Sequence, residues 1–159
     1  MNIERATVDD VDALVDCWVD LAAGQQQYGS RLESEPNRKQ ATDSMARHVV
    51  MGGVFVAREE TILGFVMFHT DEGSYSQTEP TGEISNLYVR PAVRNCGIGS
   101  ELLAAAERAL AADGAESVTL DVLAANDAAR RFYARHGYDH NRIELTKRIE
   151  SDTHSKDER

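Results

Sequence analysis

Cysteine and long apolar segments are scarce in this chain, and each scarcity excludes a class of protein. The 159 residues include only two cysteines and three prolines. Two thiols, Cys17 and Cys96, cannot form a disulfide framework, and they fit a reducing compartment. No apolar run approaches the roughly 18 residues that a membrane-spanning helix needs. The first five residues lack the apolar core of a signal peptide, so we expect a cytoplasmic protein with no membrane partner.

Positive charge is also in short supply. Lysine and arginine together number 17 against 27 acidic residues, which gives a net charge of −10, and only Lys39, Lys147 and Lys156 are lysines. Binding to nucleic acid needs a basic surface, so we expect no nucleic-acid partner. An acidic, lysine-poor surface fits a high-salt source, where salt screens self-repulsion, and it fits an ordinary acidic cytosolic protein equally well.

Hydrophobic periodicity divides the chain into strands and helices of a single domain at residues 1–149, with a polar tail at 150–159. We expect strands at 3–6, 54–57, 62–69, 83–89 and 117–123, and one or two more between 138 and 148. We expect helices at about 11–22, 38–50, 99–113 and 126–136. The strand at 83–89 alternates imperfectly, and a bulge near Asn86 and Leu87 would explain this.

The most informative segment is the glycine-containing turn at residues 94–99, between a strand and the clearest helix. Such a turn presents free backbone N–H groups at the positive end of a helix dipole, an arrangement that binds phosphate. Glycine lets the backbone approach closely, and Arg94 can add a charge-assisted contact.

Three kinds of phosphate loop share this geometry. A Walker A loop is excluded, because Gly99 is followed by Ser100 and Glu101 and not by the required lysine. A dinucleotide fingerprint fits poorly, because its third glycine is replaced by Leu102 and the loop follows at least three strands. The third kind is a coenzyme A loop.

Two segments carry a resemblance to a known family. The pattern Arg-x-x-Gly-x-Gly at 94–99, after a strand that ends Tyr-Val-Arg-Pro at 88–91, resembles the coenzyme A loop of the GNAT superfamily of N-acyltransferases. Residues 126–138 resemble its second signature, an Asn that opens a helix bearing Phe-Tyr and ending in Gly-Tyr. Cys96 departs from the pattern, since the family more often has glycine or a basic residue there.

The resemblance implies a fold and a reaction. The fold is α/β, a mixed and mainly antiparallel sheet of six or seven strands flanked by about four helices. The reaction moves an acetyl group from acetyl-CoA to a primary amine by direct attack in a ternary complex. A non-catalytic acyl-CoA-binding or regulatory module is the alternative from another class, and a nucleotide-binding protein is a third.

The resemblance also assigns roles to residues. Tyr133 is expected to act as general acid toward the coenzyme's sulfur, and Glu83, in a Glu-Ile-x-x-x-x-Val context, as general base. Backbone groups of Leu87 and Val89 are expected to flank the thioester and pantetheine. The expected coenzyme contacts are Leu87, Tyr88, Val89, Arg94, Asn95, Cys96, Gly97, Ile98, Gly99, Ser100 and Asn126. Asn126 is equally explained as a helix N-cap.

The acceptor amine is not encoded in any motif. The loop at 25–28 and the loop that bears Tyr75 are candidates to line its pocket, although solvated loops would look the same. The five histidines show no metal-ligand spacing, so we expect no metal. A homodimer is implied by the family resemblance alone.

Overall fold

The computed structural model describes residues 1–71 and 73–150. Its centre is one five-stranded sheet in the order β1-β2-β3-β4-β5. The strands are β1 (Asn2–Arg5), β2 (Val54–Arg58), β3 (Ile62–Thr70), β4 (Thr81–Val89) and β5 (Ser117–Leu120). The first three pairings are antiparallel and the last, between β4 and β5, is parallel. The prediction of a mixed α/β sheet is therefore confirmed.

Strand β4 has two irregularities, a bulge and an early end to its pairing with β5, and both lie beside the candidate site. Met67 of β3 pairs with Asn86 and Phe68 pairs with Ile84, so Ser85 is an extra residue that bulges out of the ladder. This bulge lies one residue before the predicted position. The parallel pairing of β4 with β5 ends at Ile84 opposite Leu120, and the second half of β4 has no neighbour on that side among the described residues.

In the described part of the chain, four α-helices cover the two faces of the sheet, as predicted. They are α1 (Val11–Gln25), α2 (Arg38–Val50), α3 (Ile98–Ala112) and α4 (Asp127–Arg135). One core lies between α1, α2 and the sheet and includes Leu14, Met45 and Phe65, each at most 1% exposed. The second lies under α3. Within the described residues, no helix is long and apolar enough to cross a membrane.

Helix α3 forms where the sequence predicts it, because its apolar residues recur on one face. Leu102, Leu103, Ala106 and Leu110 are at most 1% exposed and pack on Val66, Phe68 and Ile84. The helix ends before Gly114, whose φ of 99° suits a residue without a Cβ. The buried face fixes the axis of α3, and so fixes where its N-terminus points.

The prediction of six or seven strands is wrong, because the structure contains five strands in its described residues. Residues 139–150 form no strand, and β5 ends at Leu120 rather than at 123. Ile143, Leu145 and Ile149 alternate as a strand would, yet they are 76%, 89% and 84% exposed. A strand needs a hydrogen-bonded neighbouring strand, and within the part of the chain that the structure describes this segment pairs with none. Of the predicted tail at 150–159, residues 151–159 lie outside the described residues.

Because Leu145 is 89% exposed, we expect Leu145→Ala to change the free energy of unfolding by less than about 0.5 kcal/mol. Leu110→Ala is the matched control, since Leu110 is 1% exposed and a buried leucine of this kind costs about 2–5 kcal/mol. Urea unfolding of both variants measures the two values. A loss above 1.5 kcal/mol in Leu145→Ala would show that the segment packs against something.

Candidate active site

The turn between β4 and α3 is shaped by two residues with left-handed backbone. After Val89 the chain makes a 3-10 turn at Pro91–Val93 and enters α3 at Ile98. Asn95 has a φ of 63° and Gly97 a φ of 83°, and Gly97 occupies the N-cap position of α3. An L-residue adopts this region at a cost of about 1–2 kcal/mol, whereas glycine does not. Asn is among the residues that tolerate it best.

These backbone angles turn a row of amides outward. None of the six N–H groups of residues 95–100 donates a hydrogen bond to another residue that the structure describes; the next amide, that of Glu101, donates to the carbonyl of Gly97. Residues 94–97 are exposed. Six consecutive free donors therefore lie at the positive end of a 15-residue helix, where an anion with several oxygen atoms can be held.

The side chains of the turn leave those amides accessible. Arg94 folds back, and its Nε donates to the Val89 carbonyl at 2.8 Å while its guanidinium lies 5.8 Å from the Tyr88 ring centroid. The exposed thiol of Cys96 lies 3.6 Å from the Arg94 carbonyl. Ser100 contacts His136 of the α4 terminus, with Oγ and Nε2 2.9 Å apart.

The gap between β4 and β5 exposes backbone groups beside this turn. The N–H of Arg90 donates to Leu63 of β3 at 2.8 Å. Successive residues of a strand direct their backbone groups to opposite sides, so those of Leu87 and Val89 point away from β3, toward the gap. The Tyr88 side chain is 3% exposed and packs against Phe65, with ring centroids 6.2 Å apart. Tyr88 can thus contribute to the gap only through its backbone.

Helix α4 brings the second predicted signature against the first. A Cβ on Gly99 would lie 3.4 Å from Cζ of Phe132, so the small residue allows α4 to pack on the start of α3. Tyr133 follows Phe132 with its ring edge-on, at a centroid distance of 5.2 Å. Both belong to the cluster that also holds Leu87 and Val89.

Asn126 is the N-cap of α4, because its Oδ1 accepts a hydrogen bond from the Ala129 amide at 3.2 Å. We therefore expect Asn126→Ala to lower the free energy of unfolding by about 1 kcal/mol. Asn141→Ala, in the exposed segment after α4, is the matched control and should cost nothing measurable. Equal midpoints for the two variants in urea would contradict the capping role.

The environment of Tyr133 changes its acidity. Burial raises the pKa of Tyr133 to about 12. Its hydroxyl makes no hydrogen bond to a described residue, so the donor is free. Full transfer of its proton to a thiolate of pKa ~8.5 is therefore uphill by about 5 kcal/mol, more than an exposed tyrosine would require. The cost of full transfer favours a different role, in which the Tyr133 hydroxyl donates a hydrogen bond to a thioester sulfur as negative charge develops on that sulfur.

Glu83 belongs to a polar cluster that the sequence did not reveal. Its Oε2 lies 3.3 Å from Nε2 of His69, its partner across the β3–β4 ladder. Nδ1 of His69 lies 3.2 Å from Oγ of Ser85, the bulge residue. His48 of α2 stands edge-on to His69 at 5.7 Å. The cross-strand register brings these groups together, and no local spacing could have predicted it.

The two loops predicted to line the acceptor pocket, at 25–28 and around Tyr75, show no contacts that define such a pocket in the described residues. Gln26 and Gln27 donate to backbone carbonyls of Leu32 and Gly24, so both amides stabilise the turn after α1. Tyr75 is 87% exposed.

Among the residues that the structure describes, no group of three or more His, Cys, Asp or Glu side chains is placed to hold a metal ion.

Comparison with known proteins identifies the family. The model of the acetyltransferase (GNAT) family matches residues 18–138, and the chain belongs to this family. An uncharacterised N-acetyltransferase of Archaeoglobus fulgidus is 31% identical over 138 residues, which cover 84% of this chain and 90% of the relative. An aminoalkylphosphonate N-acetyltransferase of Salmonella typhimurium is 27% identical over 151 residues, with coverage of 93% and 91%.

Solved structures agree on the fold. A mutant of the BH1408 protein from Bacillus halodurans superposes with a TM-score of 0.82 at 22% identity, over 94% of this chain and 99% of the other. A GCN5-related N-acetyltransferase from Ralstonia eutropha gives a TM-score of 0.74 at 23% identity, over 93% and 97%. Membership of the acetyltransferase (GNAT) family makes the chain an acyltransferase, and members of this family use acetyl-CoA as a rule.

Proposed function

We propose that this chain moves an acetyl group from acetyl-CoA to a primary amine by direct attack of the amine. The observation that carries the proposal is the row of six free backbone N–H groups at residues 95–100, beside a gap between two strands. A diphosphate needs several hydrogen-bond donors and little side-chain bulk beside it. Gly97 has no side chain, and its positive φ turns the neighbouring amides outward. The residues present therefore fit the coenzyme's pyrophosphate.

Arg94 and the six amides would hold the diphosphate, and Asn126 and Ser100 lie on the adjoining helix termini. The backbone of Leu87 and Val89 would border the pantetheine arm, because their N–H and C=O groups point into the gap. Acetyl-CoA supplies the acetyl group as a thioester whose thiolate is the leaving group.

Acyl transfer from a thioester to an amine needs a donor for the carbonyl oxygen, a donor for the departing sulfur and an acceptor for the amine proton. The chain's own groups are proposed to supply all three. A backbone N–H at the gap stabilises negative charge that develops on the carbonyl oxygen, a role worth about 3–4 kcal/mol in acyl transfer. The Tyr133 hydroxyl donates a hydrogen bond to the sulfur of the departing coenzyme. Glu83 and its neighbour His69 stand on the α1/α2 side of the sheet, and this pair is proposed to remove a proton from the incoming amine.

Direct attack is favoured over an acyl-cysteine intermediate. Cys17 is 0% exposed, and burial raises the pKa of its thiol, so it is a poor nucleophile. Cys96 is exposed, but it lies in the turn proposed to hold the diphosphate and not at the β4–β5 gap proposed for the thioester. We therefore propose neither thiol as the nucleophile.

The acceptor we propose is a small primary amine, and an aminoalkylphosphonate is the first to test because one relative carries that activity in its name. The experiment is a screen of amines by thiol release from acetyl-CoA: 2-aminoethylphosphonate, a polyamine, free lysine, an aminoglycoside and a peptide N-terminus. We expect turnover with at least one.

The same screen separates the alternatives. A non-catalytic acyl-CoA module would bind the coenzyme in a calorimeter and release no thiol with any amine. A nucleotide-binding protein would bind ATP or NAD tightly and ignore coenzyme A. Either result would overturn the proposed reaction.

A further inference from the structure

We propose that His69 takes the proton of the incoming amine through Ser85, and that Glu83 positions the His69 ring for this transfer. The three side chains then form one proton relay at the mouth of the β4–β5 gap. This inference rests on the proposed function, because it concerns the amine that the acetyl group would reach. It assigns a catalytic role to Ser85 and His69, which neither sequence motif includes.

The relay is located by the sheet itself. His69 and Glu83 are direct cross-strand partners on β3 and β4. Ser85 is the extra residue of the β4 bulge, and it comes immediately after Ile84, the last residue of β4 to pair with β5. The hydroxyl of Ser85 therefore stands where the two strands separate, next to the backbone groups at 86–89. The bulge turns Ser85 to the same side as His69, within hydrogen-bonding distance.

The contacts define which nitrogen of His69 carries the proton. A carboxylate accepts and does not donate, so Glu83 Oε2 at 3.3 Å favours the proton on Nε2. Nδ1 of the neutral ring is then an acceptor, and it receives the O–H of Ser85 at 3.2 Å. Ser85 Oγ keeps a lone pair that can accept a proton from the gap.

Among the described residues, Glu83 supplies the carboxylate that lies within ion-pair distance of His69. Helix α2 contributes His48, whose Nδ1–H donates to the Ser44 carbonyl at 2.8 Å, so that ring is held at one position. Strand β2 pairs with β3 only as far as Val54 opposite Met67, two residues short of His69. His69 is 43% exposed, which lets a captured proton pass to solvent.

An imidazole is the better acceptor on chemical grounds. Imidazole side chains ordinarily have a pKa of ~6.5 and carboxylates ~4.3, so proton transfer from an amine to imidazole is favoured about 10²-fold over transfer to a carboxylate. In the step, an N–H bond of the ammonium breaks and leaves its electron pair on nitrogen. The proton bonds to Ser85 Oγ while the original Ser85 proton bonds to His69 Nδ1. The imidazolium then lies beside the Glu83 carboxylate.

The first test compares two acceptors of equal size, 2-aminoethylphosphonate and aminooxymethylphosphonate, whose aminooxy group is neutral at pH 7. We expect His69→Gln to lower kcat/KM about 10²-fold with the amine and less than threefold with the aminooxy compound. Ser85→Ala should cost roughly tenfold with the amine only, because water can replace the hydroxyl. The double variant His69→Gln/Glu83→Gln should be no slower than His69→Gln, because Glu83 acts through the ring. His140→Gln, in the exposed segment after α4, is the control and should change nothing.

The second test needs neither coenzyme nor turnover. Ring ¹⁵N chemical shifts of the free protein should place the proton of neutral His69 on Nε2, and Glu83→Gln should shift the tautomer balance toward Nδ1. Equal losses with both acceptors, additive losses from His69→Gln and Glu83→Gln, or an Nδ1–H tautomer in the unmodified protein would each overturn the relay. If no amine is acetylated, the proposed function fails, and the ¹⁵N measurement still decides whether the hydrogen-bonded chain exists.

Discussion

Tyr133→Phe should lower kcat for acetyl transfer by about 10²-fold or more while the Kd for coenzyme A changes less than twofold. In the proposed reaction the phenol donates a hydrogen bond only as negative charge develops on the departing sulfur, so its loss affects the reaction and not coenzyme binding. The ring itself stays in place, because Phe keeps the edge-on contact with Phe132 at 5.2 Å. Stopped thiol-release assays and calorimetry measure kcat and Kd separately.

The acidity of Tyr133 sets a second expectation for the same residue. Because burial raises its pKa to about 12, the neutral and donating form prevails at every pH below that value. The rate for the unmodified protein should therefore show no decline from tyrosine ionisation up to about pH 10.

Tyr138→Phe is the matched control for Tyr133. The Tyr138 ring lies 5.8 Å from that of Tyr133, but its hydroxyl donates to Glu107 at 2.8 Å. We therefore propose no acid role for Tyr138. This variant should lose about 1 kcal/mol of stability and retain its kcat. Equal loss of kcat in both variants, or none in Tyr133→Phe with any amine, would remove the general acid from the account.

Gly97→Ala should weaken coenzyme A binding about tenfold or more. At a φ of 83° an alanine is strained by about 1–2 kcal/mol, and we expect the turn to relieve that strain by moving the amides proposed to hold the diphosphate. A tenfold change in Kd corresponds to 1.4 kcal/mol, so even partial relief of this kind is measurable. Added bulk is not the cause, because nothing lies within 4 Å of the new Cβ.

Gly114→Ala is the control at the opposite end of the same helix. Gly114 has a φ of 99° and also has open space around a Cβ, so both variants should lose similar stability. Only Gly97→Ala should change the Kd for coenzyme A. An equal effect of the two substitutions on binding would mean that general destabilisation, and not the turn, controls the coenzyme site.

Local features of the sequence predicted the parts of the fold that depend on local physics. The helix expected at 99–113 is observed at Ile98–Ala112, because its apolar face and Gly114 define it within one stretch of chain. The glycine-containing turn that leads into this helix was predicted for the same reason, since glycine spacing and a following helix are enough to describe it, whereas its binding of phosphate stays a prediction. The Asn126 cap was likewise predicted from one residue and its position.

Features that depend on pairing between distant residues were not predicted. One or two strands were expected between 138 and 148, but a strand also needs an edge to pair with, and the sequence of this segment does not say where that edge is. The approach of His69 to Glu83 depends on the register across the loop at 71–80, which no motif encodes. The free second half of β4 depends on where β5 stops.

The central claim is that the amides of residues 95–100 hold the diphosphate of coenzyme A. Backbone ¹⁵N–¹H spectra recorded while coenzyme A is added test it most directly. We predict that the largest downfield amide shifts fall within residues 95–100, and that pantetheine, which has no diphosphate, leaves those amides unchanged. Tight coenzyme A binding with those six amides unmoved, or no binding at all, would contradict it.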